Sequence, residues 1–420
     1  MEIRIPYGKE TIGAQLPQEN LMGVYHPAKY TGNRDEGDKI DTALDCPLMG
    51  PDLKTLAAGK QHIVIITSDH TRPLPSRLTM PRILKRLREG NPQAKITILV
   101  ATGCHRAMTE EEKSARFGPE IARNERFVMH NAFDEEQMVA LGNLPSGGEL
   151  KVNCVAAQAD LLIAEGFIEP HFFAGFSGGR KAVLPGIASA QSVRYNHNAA
   201  FIDSPLARAG VLEGNPIHRD MLWAAKACKL QFILNVVLDA DKKVIHAVAG
   251  EPERAHFSGC TFAARHAMLP KFRADIVISS NGGYPLDQNA YQAVKGMTTA
   301  AQCCKDGGVV ILAAQCSDGH GGQAFYEALR DADSPEELLA RIRQVPAEQT
   351  PPDQWQYQIL CKILTRCQVV LVSDLPRKMV EDMKLCWQPD LQAAVDYALE
   401  TMGAGAQIAV VPDGVSAIAL

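Results

Sequence analysis

Residues 62–106, HIVIITSDHTRPLPSRLTMPRILKRLREGNPQAKITILVATGCHR, decide the fold of this chain. Two apolar, β-branched runs, HIVIITS at 62–68 and KITILVA at 95–101, bracket a segment of helical period at 78–87. A continuous apolar run of that length between turn formers reads as a strand buried on both faces. Strand, helix and strand in succession are the pattern of a parallel sheet covered by helices. Each run also ends in polar residues, Ser68-Asp69-His70-Thr71-Arg72-Pro73 and Ala101-Thr102-Gly103-Cys104-His105-Arg106. Open α/β sheets bind ligands at such strand ends, so the stretch that sets the fold also points to a site.

Outward from this unit, further strands are expected at 150–155, 161–164, 232–238, 276–279, 309–313, 369–372 and 408–411, with helical patterns between most of them. At 232–249 the polar run Asp239 to Lys243 separates two apolar stretches, the signature of an antiparallel hairpin, and the sheet there becomes mixed. The first 50 or so residues are irregular and rich in turn formers. Only IRIP at 3–6 and the stretch 11–16 read as strand or edge, and the whole segment is expected to wrap the first domain. A second α/β series opens near Lys271, after the helix-like segment 251–268 and Pro270. The expectation is two α/β domains with mainly parallel sheets, 1–269 and 270–420, the C-terminal segment being able to return to the first.

The 420 residues leave room for two to three domains at roughly 150 residues each. A composition of 46% hydrophobic and 22% charged residues excludes a disordered or fibrous chain. With 43 Lys+Arg against 48 Asp+Glu there is no broad basic field to draw nucleic acid or an anionic membrane, and neither partner is expected. The 11 cysteines are odd in number and scattered, with no Cys-x-x-Cys pair, which speaks against a disulfide framework or a zinc ribbon. A reducing cytoplasm is the expected compartment. MEIRIPYGKE lacks the apolar core of a signal peptide, and no apolar run reaches the roughly 18 residues of a membrane span.

Chemistry concentrates in GFIEPHFFAGFSGGRKAVLPGIA at 166–188, a glycine-rich turn between a strand and a helix-like segment. Glycines let backbone amides approach an anion. The P-loop pattern is not met, because Arg180 precedes Lys181 and Ala182 stands where a metal-binding hydroxyl is required. His105 follows a strand, His171 sits in the glycine-rich segment and His197 lies beyond it in YNHN. Each alone reads more readily as a structural histidine, the reading kept for the other nine, among them His26, His130, His218, His246 and His320. Together the three suit either a catalytic site or a zinc-type hydrolase, although their spacing matches no His-Glu-x-x-His helix. Arg72, held by a Pro turn, can grip a carboxylate or phosphate with two parallel hydrogen bonds, or cap a sheet edge. With a helix starting near Asp287, Gln292 and Lys295 lie three apart and share a face.

Five segments, DHTRP (69–73), ATGCHR (101–106), PHFFAGFSGGRKAVLPGIA (170–188), NHN (196–198) and GGYPLDQNAYQAVKG (282–296), are similar in content, order and distance to those of one family. The chain resembles the nickel-dependent lactate racemases along most of its length. That resemblance implies two α/β domains with the active site in the cleft between them. It implies a nickel-pincer nucleotide, pyridinium-3-thioamide-5-thiocarboxylic acid mononucleotide with Ni(II), joined to Lys181, with His197 as the protein ligand to nickel. His105 and His171 become the acid/base pair. Arg72, Gln292 and Lys295 orient the substrate, and Asp69 supports them. The cofactor phosphate is expected near Ser177, Gly178 and Gly179 or at a neighbouring strand-end loop. The implied activity is inversion of carbon 2 of a lactate-like 2-hydroxy acid by reversible hydride transfer. A larger 2-hydroxy acid on the same machinery, such as a sugar, aromatic or dicarboxylic acid, is the alternative; a zinc-type hydrolase or a noncatalytic cofactor carrier stands in another class. Enzymes that build the cofactor are the implied protein partners.

Overall fold

The computed structural model describes residues 1–419. Two six-stranded sheets organise it. In the first, the strands run in the order Val244–Gly250, Leu230–Leu238, Leu161–Phe167, His62–Ser68, Lys95–Ala101 and Arg126–Met129, and only Val244–Gly250 is antiparallel to its neighbour. This is the hairpin expected from the polar run at 239–243. The second sheet, in the order Cys386–Gln388, Gln368–Val372, Cys304–Ala313, Ala274–Ser280, Ile408–Val411 and Leu21–Val24, is parallel throughout.

The two-residue alternation of a strand explains why these runs are apolar on both sides. Ile63 and Ile65 pack with Met80, Ile83 and Leu87 of the helix Ser76–Gly90, while Val64 and Ile66 point into the opposite core with Leu162 and Ala164. Each fully buried aliphatic side chain of this kind contributes on the order of 1.5–3 kcal/mol. A polar residue at any of these four positions would leave an unsatisfied group in a dry interior.

Three expectations change. Residues 2–24 do not wrap the first domain. Glu2–Tyr7 and Glu10–Gln15 form an antiparallel hairpin whose Ile3, Ile5, Ala14 and Leu16 pack on Ile276, Ile278, Val309 and Ile311 of the second sheet, and Leu21–Val24 pairs with Ile408–Val411. The alternating isoleucines need an apolar face, and the second sheet offers one. Only from the helix Glu36–Asp45 does the chain join the first core, through Ile40 and Leu44. The strand expected at 150–155 ends at Asn153, whose side chain accepts the Val155 amide and starts a short helix, Cys154–Ala157. The strand pairs instead with Met138–Asn143 in a separate hairpin. The helix expected from Asp287 begins at Ala290, capped by Asn289. Asp287 instead turns its buried carboxylate to the amides of Gly8 at 2.6 Å and Gln315 at 3.1 Å, accepting from both and tying the N-terminal hairpin to the second domain.

Beyond Val411 the chain turns back to the first half. The Ile418 amide donates to Ala267 O at 2.8 Å, and the Ile418 side chain packs with Ile168 and Phe176.

His130, 2% exposed, donates from Nε2 to Ala188 O at 3.0 Å and accepts the Asn153 amide at Nδ1, 3.3 Å away. Burial pushes its pKa down to about 4. The unfolded chain therefore binds a proton between pH 6.5 and 4 that the folded chain refuses. Stability from this residue is present above pH 6.5 and is lost as pH falls through that window, by about 1.4 kcal/mol per unit. Urea unfolding at about pH 7 and about pH 5 should show the fall, and His130→Gln should flatten its slope by about one proton; an unchanged slope would contradict the assignment.

Candidate active site

A cleft of about 940 Å³ opens between the carboxyl ends of the two sheets. Asp69 and Arg72 enter it after His62–Ser68, His105 after Lys95–Ala101, and His171 and Lys181 after Leu161–Phe167. His197, at the end of the helix Ala190–Asn196, lines the same cleft. From the second domain the helix Ala290–Cys303 brings Tyr291, Gln292 and Lys295. All the residues selected from the sequence meet here.

Asp69 is buried, and its Oδ1 accepts the amide and hydroxyl of Thr71 at 3.0 and 2.6 Å. His105 Nδ1 donates to Asp69 Oδ2 at 2.7 Å. Burial alone would raise the Asp69 carboxyl, but the His105 hydrogen bond, Arg72 and Thr71 together hold it well below the usual carboxylate range. A fixed anion at Nδ1 places the proton there and leaves Nε2 of the neutral ring as a base. Asp69→Asn should lower kcat by about 10² with the fold intact, measured by steady-state rates beside circular dichroism; a wild-type rate would remove Asp69 from the machinery.

The glycine-rich segment folds back on itself, Pro170–His171 pairing with Gly175–Phe176, and leads into the 3₁₀ turn Gly179–Ala182. This brings Lys181 Nζ to 2.9 Å from His171 Nε2. Both groups are pushed well below their ordinary pKa, by burial first and then by neighbouring cations, chiefly Arg180 for Lys181 and Lys181 for His171. Burial and the Arg72 guanidinium bring Lys295 down to about 7, against the opposing pull of Glu169. The Arg72 side chain has no hydrogen-bond or ion-pair partner among the described residues, so its fork is available.

Ser177, Gly178 and Gly179 line the cleft, and the donors of Ser177 and Gly179 are engaged within the protein. The Ser177 hydroxyl donates to Phe167 O and accepts the Glu169 amide, both at 2.9 Å, and the Ser177 amide donates to Glu169 O. The Gly179 amide donates to Asn235 Oδ1 at 2.8 Å. At Gly179, with φ of 53°, a Cβ would stand 2.6 Å from the His256 ring, so glycine is required for close packing.

His197 is buried between aromatic edges, its ring centroid 5.0 Å from Phe173 and 5.1 Å from Trp355. Burial, with Lys181 nearby, pushes its pKa down to about 3. Its Nδ1 is buried with no partner, and no side-chain hydrogen bond engages the ring among the described residues. A neutral imidazole with uncommitted nitrogens fits a soft divalent metal. One protein ligand cannot complete a coordination shell, so the remaining donors would come from a cofactor. The three-histidine zinc site is not formed: His105 is committed to Asp69 and His171 to Lys181, and among the described residues no group of three His, Cys, Asp or Glu side chains is placed to hold a metal.

Glu169, Tyr291 and Trp355 also line the cleft and escape sequence reasoning. Glu169 carried a signal, its place two residues before His171 at a strand end. Trp355 carried none. It reaches the site because Trp355 Nε1 donates to Tyr291 Oη at 2.9 Å, across 64 residues.

The chain matches the family model for the lactate racemase N-terminal domain over residues 7–210 and that for the lactate racemase C-terminal domain over 269–419. It is 50% identical to a lactate racemase of Thermoanaerobacterium thermosaccharolyticum over 419 residues, 99% of this chain and 98% of that protein. A lactate racemase of Lactiplantibacillus plantarum is 49% identical over 419 residues, 99% of each. The lactate racemase apoprotein structure from T. thermosaccharolyticum superposes with a TM-score of 0.97 at 49% identity, covering 100% of both chains. A Thermotoga maritima protein, 20% identical with a TM-score of 0.66 over 90% of this chain and 96% of its own, shares the fold alone.

Proposed function

Because the chain belongs to the lactate racemase family and is an isomerase, we propose that it inverts carbon 2 of lactate with a nickel-pincer nucleotide joined to Lys181. The observation that carries this reading is the convergence on one cleft of two imidazoles, an unpaired arginine fork, a buried lysine amine and a partnerless histidine.

Arg72 and Lys295 hold the substrate carboxylate while the rest of the molecule reorients. Gln292, on the same helix face as Lys295, offers an amide to the substrate oxygens. His105 Nε2, aligned by Asp69, takes the hydroxyl proton in one orientation and returns it. His171 faces the oxygen in the opposite orientation: once its Nε2–H exchanges Lys181 for the substrate, it gives the proton that completes inversion, and it recovers one in the reverse direction. Two bases are needed because inversion presents the oxygen on two sides. Phe173 and Trp355 keep water from His197. When bound, the cofactor supplies a soft, electron-poor acceptor for the hydride of carbon 2, which spares the site a carbanion beside a carboxylate.

The same reading makes a small 2-hydroxy acid and the cofactor-building enzymes the partners. It places the protein in a reducing cytoplasm, in keeping with 11 free cysteines. Among the described residues no helix is long and apolar enough to cross a membrane.

The test is a panel of chiral 2-hydroxy acids, each deuterated at carbon 2, given to protein from a host that makes the cofactor. The expected result is inversion of lactate in preference to sugar, aromatic and dicarboxylic acids, with deuterium retained and a trace of 2-keto acid on quenching. Rapid loss of deuterium to water without keto acid would overturn the mechanism, and inversion of only a larger acid would overturn the substrate.

A further inference from the structure

Arg180 is among the largest side chains completely enclosed by the protein, at 2% exposure, and none of the ion pairs among the described residues includes it. Its Nη2 donates to Ala174 O at 2.6 Å, and its Nη1 donates to Phe176 O at 2.8 Å and Gly178 O at 3.3 Å. His256 Nε2 lies 2.9 Å from Nη1. Burial lowers the guanidinium to about 10, so it remains a cation at neutral pH. A buried charge with carbonyl partners and no carboxylate is costly to keep. It is placed one residue from Lys181, at the centre of the loop that carries His171.

The hydrogen bonds around His171 fix the state of that lysine. The Ala174 amide donates to His171 Nδ1 at 3.3 Å, so Nδ1 holds a lone pair and the ring proton sits on Nε2. Nε2–H then donates to Lys181 Nζ at 2.9 Å, which requires a lone pair on the amine. An ammonium there would face a ring proton. Arg180 works in the same direction twice: it grips Ala174 O, holding the peptide chain whose amide orients His171, and its charge opposes a second cation alongside.

We propose that Arg180 is a positioning residue whose enclosed, carboxylate-free guanidinium keeps Lys181 as an unprotonated amine, ready to be acylated. This rests on the reading of Lys181 as the cofactor lysine but concerns the amine before any bond is made. The charged and titratable groups around Lys181 are Arg180 on its own turn, His171 on the paired strand, Arg72 from the first sheet, Lys295 from the second domain, His197, and Glu169, a carboxylate opposing them.

Trace acetylation of the cofactor-free protein with acetic anhydride across pH, completed with heavy anhydride after unfolding and read by peptide mass spectrometry, tests it. The internal standard is Lys85, 73% exposed. In the wild type Lys181 should label with a midpoint below that of Lys85; coincident midpoints overturn the proposal. Arg180→Met should move the Lys181 midpoint toward that of Lys85 and reduce its relative labelling at pH 7 by at least about tenfold, whereas a folded Met variant with the wild-type midpoint overturns it. Arg180→Lys keeps the charge without the fork and should retain the low midpoint, so it carries the test where the Met variant does not fold; a folded Lys variant titrating with Lys85 also overturns it. A purely structural role would alter the extent of labelling without moving the midpoint. Absence of an adduct on Lys181 in protein from a cofactor-making host would count against the proposed function and leave these midpoints untouched.

Discussion

Lys181→Ala protein, made in a host that supplies the cofactor, will fold but carry no covalent adduct, and its racemisation will fall on the order of 10³-fold or more. A tether turns an encounter between cofactor and site into a fixed geometry, and fixed geometry accounts for a large share of catalytic rate. The substitution removes a cleft-facing side chain whose amine pairs with His171 Nε2, and Lys181 belongs to none of the apolar cores. Intact mass and nickel content read the loss directly. Lys181→Arg should fail as well, because a guanidinium cannot form the same thioamide. Normal adduct and nickel content in the alanine variant would end the assignment of Lys181.

The second large effect belongs to the imidazoles. His105→Ala and His171→Ala should each slow racemisation by about 10²–10⁴, and equally in both directions. A racemisation has an equilibrium constant of one, so no variant can lose one direction and keep the other. Polarimetry started from each enantiomer measures this. With its cofactor loaded, a His105→Ala enzyme turning over near the wild-type rate would remove that residue from the reaction.

The sheets are readable because their central strands are buried on both faces, so each appears as an unbroken β-branched run such as IVIIT at 63–67. The histidines and Arg72 are readable because such runs end where ligands bind. What escapes depends on partners far along the chain. Nothing in IRIP says that Ile3 and Ile5 will meet Ile276 and Ile278. Asp287 reads as the start of a helix, yet its carboxylate accepts the Gly8 amide, 279 residues away. The glycines after Ser177 also answer to the closeness of Asn235 and His256, which nothing in the local sequence announces. Trp355 acquires its place only through Tyr291.

The pairing of Leu21–Val24 with Ile408–Val411 bears on how the protein is born. Every strand of the first sheet has left the ribosome by Gly250, but the second cannot join its first and last strands until Val411 emerges. At roughly 5–20 residues per second, about 10–30 s of synthesis separates these events. Early in that interval, before Ile276 and Ile311 emerge, the nascent chain shows a finished first sheet beside an apolar N-terminal segment with no surface to cover, an invitation to chaperones. Three of the cleft's lining side chains, Gln292, Lys295 and Trp355, are carried by the later half, so a chain cut short holds His105 and His171 on a half-built wall.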